Sequence, residues 1–253
     1  MTAITNHYSL ELPEWNCASI AEKIQELDWD TISRWVQLGA VASALGGACA
    51  LSAVGVLPAA VLVSCAAGVT ALLANIVLTN IVIYALNSEE EEELETEKSE
   101  YADAIKNIPP FITCVAIPII EELAFRSFIQ GGIYAGLSYI LPAAAVITIA
   151  GFELPVAAVA SMVVAGVLFG LAHAGNHPDN PLAAIMHTVT ASIAGVFVLG
   201  PLYYAFGLWG SALAHIANNT FAIGMGEVMD ALSQKKKDPS PLPDEKQWIP
   251  ASV

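Results

Sequence analysis

Apolar runs separated by short polar or turn-forming stretches dominate this chain, and they predict membrane-spanning helices rather than an amphipathic soluble fold. Residues 35–86 are apolar or small apart from Gln37, Asn75, Asn80 and a few hydroxyls. A run of that length holds two spans of about 20 residues each, and the Gly55 to Pro58 stretch supplies the turn between them. Residues 35–87 are therefore expected to form a transmembrane hairpin. Gly39, Ala42, Gly46 and Gly47 suit close helix packing there. Residues 108–232 form a second apolar block, with helices expected over 111–133, 156–174, 182–204 and 208–232. Pro109-Pro110 opens the first of them, because proline is tolerated in a first helical turn. His177-Pro178-Asp179-Asn180-Pro181 reads as a loop, and Phe206-Gly207 as a turn. Between them, 134–155 is broken by Pro142, Gly151 and Pro155.

Polar segments flank these blocks. Residues 1–34 form a lead-in in which Ile20, Ile24 and Leu27 fall on one face of a short amphipathic helix over 19–27. It has no cationic stretch before an apolar one, so a cleaved secretory signal is not expected. Trp15, Trp29 and Trp35 fit a chain nearing a membrane interface. Residues 88–107 form an acidic loop with the run Glu89 to Glu93 followed by Glu95, Glu97 and Glu100, and such a run repels itself. Residues 233–253 form a Pro-rich polar tail that is expected to be disordered.

Lysine placement sets the expected topology. Positive charge favours the cytoplasmic side, so Lys98, Lys106 and Lys235 to Lys237 should share it, which needs an even number of crossings between Asn107 and Lys235. Four helices meet that condition if 134–155 is re-entrant or extends its neighbours. The expected fold is thus all-α, a polytopic transmembrane bundle of about six spans, with a seventh or a re-entrant segment at 134–155 as the variable part. The expected location is the bacterial inner membrane, with both termini cytoplasmic.

Composition agrees with a membrane class. At 253 residues, 56% hydrophobic and 13% charged, with mean hydropathy +0.61, the chain is too apolar for an ordinary soluble domain. Its net charge of −15, with 9 Lys and Arg, leaves no electrostatic footprint for nucleic acid. Cys17, Cys49, Cys65 and Cys114 show no paired spacing, so neither a disulfide framework nor a cysteine metal site is expected.

Candidate chemistry lies inside the second block. In Pro118 to Arg126 two adjacent carboxylates and an arginine interrupt an apolar run, and Arg126 is the only Lys or Arg between Lys106 and Lys235. Ionised groups at bilayer depth are expensive and mark functional positions. Glu122 and Arg126, four apart on a helix, are placed to pair; Glu121 is turned roughly 100° away and stays free of that pairing. Phe169 and His173 share a helix face by the same spacing, as do His215 and Asn219. The set combines a carboxylate that accepts a proton, imidazoles that orient or donate, and an amide with two donors. Of the other histidines, His7 and His177 read as solvated, and His187 as a hydrogen bond to a neighbouring helix or a cavity residue.

These motifs, EExxxR, FxxxH and HxxxN in that order on separate apolar helices, resemble those of the CAAX-protease and bacteriocin-processing family. That family is also called Abi and includes the Rce1-type prenyl endopeptidases. Leu208-Trp209-Gly210-Ser211, leading into the third motif, looks like it too. The likeness covers roughly 108–230; Ser127 stands where a glycine commonly follows the motif arginine. The long gap from Glu121 to His173 implies an insertion within 134–155. The resemblance implies an intramembrane endopeptidase in which Glu121 activates water assisted by His173, His215 and Asn219 stabilise the oxyanion, and Glu122 and Arg126 hold their helix in register. It implies a peptide or protein substrate, lipidated or membrane-embedded, in contact with the bilayer. No cofactor is expected. The rival is a zinc held by Glu121, His173 and His215 with a fourth position open to water. The non-enzyme alternative is a catalytically silent membrane binding or immunity module.

Overall fold

Glycine and proline positions divide the described residues into six helices and one β-hairpin. A computed structural model describes residues 29–53, 55, 57–85, 107–149, 152–178 and 180–237. His7, the helix expected over 19–27, Lys98 and Lys106 of the acidic loop, and the tail beyond Lys237 lie outside the described residues. The chain divides into a unit 1–36 and a unit 37–253; the second holds every contact discussed below.

Helix α1 (Trp29–Ala53) and helix α2 (Ala59–Ala85) follow one another across the stretch in which a turn is expected. Gly55 turns the chain at φ 78°, a conformation that costs glycine little. The Ser52 hydroxyl donates to the Pro58 carbonyl at 2.7 Å and ties the two helix ends together. The next helix, α3, is continuous over 112–140. It is built of π-helical Ile112–Ala116, α-helical Ile117–Glu122, π-helical Leu123–Gln130 and α-helical Gly131–Ile140. Helix α4 is Val156–Ala172, with a 3-10 turn at Ala174–Asn176 behind it. Helix α5 runs over 181–206 with a π-helical stretch at Gly195–Leu199, and helix α6 is Leu208–Lys237. Two of the three wide π stretches end just ahead of a proline, Pro118 or Pro201. A proline has no N–H for the i−4 carbonyl and its ring crowds that turn, so the helix opens there rather than breaking. Gly207, at φ 69°, makes the sharp turn into α6.

Two boundaries differ from the sequence reading. Helix α3 continues past 133 to Ile140, and the remainder of 134–155 is an antiparallel hairpin, β1 (Val146–Ile149) on β2 (Phe152–Pro155), in register Val146 to Pro155 and Ile149 to Phe152. The β-branched run Val146-Ile147-Thr148-Ile149 favours an extended strand, and Pro155, at the hairpin's end, leads straight into α4. The stretch thus extends its helical neighbour as far as Ile140 and closes with a β-hairpin rather than forming a seventh helix. Helix α6 runs on to Lys237, past the expected end at Leu232, so the tail starts later than 233.

Packing is inverted relative to a soluble protein. The largest fully buried side chains include Arg126, Gln130 and Glu122, while Ile120, Phe128, Phe197 and Trp209 are mostly exposed. In a lipid environment apolar side chains face outward without cost, and polar ones are satisfied inside. Four stretches are long and apolar enough to cross a membrane, namely Asp30–Ala53, Ala59–Leu78, Val156–Asn176 and Pro181–Phe206. Small residues bring the helices close. A β-carbon on Gly68 of α2 would run into the Ala214 carbonyl of α6, and one on Gly170 of α4 into Ser192 and the Thr188 carbonyl of α5. Between these contacts Phe169, Ala191, Leu199, Leu202 and Ala214 form the apolar core.

Candidate active site

Three helices meet at the two glutamates. On α3 the four-residue spacing brings Arg126 back to Glu122, and its Nε–H donates to Glu122 Oε2 at 3.2 Å with both side chains fully buried. On α6 the His215 imidazole faces both carboxylates: its Nδ1–H donates to Glu122 Oε1 at 3.0 Å, and its Nε2 lies 3.5 Å from Glu121 Oε2. Glu122 is thus enclosed between a guanidinium and an imidazole. Glu121, whose side chain is 27% exposed, turns instead to an open space. On α4, Phe169 packs edge-on against His215 with ring centroids 5.7 Å apart, meets His173 at 4.5 Å and lies 5.1 Å beneath the Arg126 guanidinium. One aromatic ring therefore touches the buried guanidinium and both imidazoles. An arginine over such a face gains an attraction that strengthens away from water.

The open space is a cavity of about 500 Å³ lined by Glu121, His173, His187, His215 and Asn219, with Thr113 and Asn176 among its other walls. His173, at the C-terminal end of α4, donates from Nδ1 to the Phe169 carbonyl at 2.7 Å. That bond fixes the ring and leaves Nε2 as its second nitrogen. Asn219 is held at both ends of its amide: its Nδ2 donates to the Thr113 carbonyl at 3.2 Å and its Oδ1 accepts from Asn218 at 3.1 Å. An amide nitrogen carries two hydrogens, so one remains for a guest in the cavity.

Glu121, His173, His215 and Asn219 are therefore brought to one cavity, and Glu122 and Arg126 to the wall behind it. Glu121 meets His215 rather than His173, although both imidazoles line the same space. Among the described residues, no three His, Cys, Asp or Glu side chains converge as a metal site; Glu121, His173 and His215 are spread around the cavity instead.

Sequence reasoning left the place of His187 open and missed those of His177 and Gln130. His187 of α5 lines the cavity and stacks on His173 at 5.0 Å. His177, read as a solvated loop residue, reaches His187, with Nε2 3.1 Å from its Nδ1. Gln130, buried one helical step beyond Arg126, donates to the Gly200 carbonyl at 3.0 Å and ties α3 to α5. An intramembrane histidine is itself a signal, so His187 had a trace in the sequence; the position of His177 beside it did not.

A smaller cavity of about 110 Å³, walled by His173, His187, His215 and Asn218, lies next to the first. Through Ala71, Asn75, Thr190 and Val198 it adjoins an apolar cavity of about 510 Å³ between α2 and α5.

Residues 107–221 match the family model described as Type II CAAX prenyl endopeptidase Rce1-like. No curated protein and no solved structure matches the chain. The matched segment contains Glu121, Glu122, Arg126, His173, His215 and Asn219 together, and it lies among helices apolar enough to cross a membrane. Over this segment the chain is similar to the Rce1-like family of type II CAAX prenyl endopeptidases, and the apolar helices around it fit an integral membrane protein.

Proposed function

We propose that the chain is a glutamate-type endopeptidase in which Glu121 is the general base. The observation that carries this reading is the asymmetry of the two carboxylates. Glu122 is spent on Arg126 and His215 with no exposed surface, whereas Glu121 opens onto the cavity. A base must reach the water it deprotonates, and of the pair only Glu121 has that access. His215 holds Glu121 from one side through Nε2. His173, whose Nδ1–H is committed to the Phe169 carbonyl, offers Nε2 as a proton acceptor from the other. The oxyanion that forms on the scissile carbonyl is met by the remaining Nδ2–H of Asn219 and by His215 Nε2–H, which Glu121 gives up as it takes the proton from water. Glu122 and Arg126 hold α3 and orient His215; they do not touch substrate.

The apolar cavity between α2 and α5 supports a substrate with an apolar or lipidated segment. It continues from the site, and its walls, Ala67, Ala74, Leu78, Ile193 and Phe197 among them, suit hydrocarbon.

The test is cleavage of prenylated and unmodified apolar peptides by the detergent-solubilised protein, with Glu121→Gln alongside. Cleavage by the wild type and none by a folded Glu121→Gln is expected. Full activity in Glu121→Gln overturns the base assignment, and no cleavage by a folded wild type favours a silent binding module. Metal content is measured on the same sample by mass spectrometry. Stoichiometric zinc, with activity lost to a chelator and restored by the ion, replaces the metal-free reading with the zinc one.

A further inference from the structure

The site explains one carboxylate, two imidazoles and an amide, but it leaves His187 and His177 without a task. Both belong to a line of three imidazoles. His173 lines the cavity and His187 lines it too, with ring centroids 5.0 Å apart and planes tilted by 56°. His187 Nδ1 meets His177 Nε2 at 3.1 Å, one ring donating to the other. His177 sits in the connector between α4 and α5, half-buried beside exposed Gly175, Asn176 and Pro178. The line thus runs from the cavity to the turn that joins two apolar helices, out of the apolar interior.

Resting on the peptidase reading above, we infer that His187 and His177 are proton-transfer residues that connect His173 and the catalytic cavity to solvent at the α4–α5 connector. Peptide hydrolysis consumes a water with two protons. Glu121 takes the first as the water oxygen attacks the carbonyl carbon, and returns it to the leaving nitrogen as the C–N bond breaks. The second stays on the new carboxylic acid, which must ionise before the product leaves as a carboxylate. The cavity wall of Ile108, Ile117, Ala222 and Ile223 offers this proton no acceptor, whereas the imidazoles do. His173 Nε2 accepts this proton, a water between the two rings passes it to His187, and His177 releases it to solvent, where an equivalent proton completes the product ammonium. No proton is gained or lost overall and no co-reactant is needed. Among the described residues, the ionisable groups facing this path include Glu121 from α3, His215 from α6 and the three histidines themselves.

Helix geometry makes the arrangement hard to ascribe to packing alone. A buried imidazole that only fills space is replaceable by an aromatic ring. A ring that hydrogen-bonds a second imidazole at a polar boundary carries exchangeable protons at both ends. The distinction is measurable.

The experiment compares wild type, His187→Phe, His187→Gln and His177→Phe, purified as full chains in detergent. Each is assayed for kcat and KM on a cleaved apolar peptide, with and without added imidazole. Loss of one positioned proton-transfer group is expected to lower kcat by roughly 10²-fold with KM unchanged, and imidazole should restore much of it in the His187 and His177 variants. Glu121→Gln serves as control and should not respond to imidazole. An unchanged kcat, or a loss that imidazole leaves untouched in folded variants, overturns the inference while leaving Glu121 as base. An activity-independent measurement runs beside it: by nitrogen-15 NMR on histidine-labelled protein, solvent exchange of the His173 ring proton should slow in His187→Phe. Equal exchange in wild type and variant overturns the inference even where the peptidase reading itself fails and no cleavage is seen.

Discussion

Replacing Glu122 with glutamine tests whether the two adjacent carboxylates divide their labour. Glutamine keeps the shape, so no cavity is created, and its carbonyl can still accept from His215 Nδ1. The negative charge is lost, and the amide nitrogen that takes the place of Oε2 cannot accept from Arg126 Nε. At the 3.2 Å separation of Arg126 Nε and Glu122 Oε2, an effective dielectric near 20 gives an attraction of about 5 kcal/mol. Arg126 would be left charged in a fully buried position where its Nη1 and Nη2 groups already have no hydrogen-bond partner among the described residues. Breaking one side of such a pair costs about 3–5 kcal/mol, a large part of a folded domain's whole margin. For a chain of this size that corresponds to a fall in melting temperature of about 6–20 °C. Glu121→Gln should differ, since its contact with His215 is looser and partly exposed; a loss under about 1 kcal/mol is expected. The assay is thermal unfolding of both variants in one detergent, with size-exclusion yield. A third variant, Glu122→Gln with Arg126→Met, removes the stranded charge and should recover most of the loss. Equal melting of the two single variants, or a larger fall for Glu121→Gln, refutes the division of roles.

Three further outcomes follow from the same geometry. Asn219→Ala should lower kcat by about 10²–10³-fold, as for removal of one oxyanion donor; the lost bond to Thr113 should cost only about 1 kcal/mol of stability, and a rate within twofold of wild type would remove Asn219 from the site. Gly170→Ala should destabilise by about 1–3 kcal/mol, because the new methyl meets the Thr188 carbonyl, which cannot rotate away as the Ser192 side chain can; an unchanged melting curve would contradict the close α4–α5 contact. Reporter fusions after Lys106 and after Lys237 should both read cytoplasmic, as four helices lie between them and the β-hairpin adds no crossing; opposite readings would mean that one helix fails to span.

Whatever depended on near neighbours was legible in the sequence. Long apolar runs between Gly and Pro announced the helices, since lipid leaves an unpaired backbone no alternative to internal hydrogen bonds. The Gly55 and Phe206-Gly207 turns fell where glycine made a left-handed turn inexpensive. The Glu122–Arg126 pairing followed from a four-residue spacing on one helix, and Phe169 beside His173 from the same rule. Short π stretches were less legible, because a proline says that a turn must open but not whether it widens or kinks. The hairpin at 146–155 was hidden because a short β-branched run in an apolar context fits a strand and a helix equally well.

Only the tertiary structure decided which residues meet across helices. His215 stands 93 positions from Glu122, yet bridges both glutamates, and no periodicity carries information over that distance. The closeness of His177 to His187 depends on how the connector after α4 folds back onto α5. The approach of α2 to α6 depends on Gly68 facing the Ala214 carbonyl. Spacing along a helix is set by covalent geometry and can be read from a string of letters. Contact between helices is set by which small residues let two backbones close and which polar groups must then be satisfied, and that is resolved only once all the helices have packed.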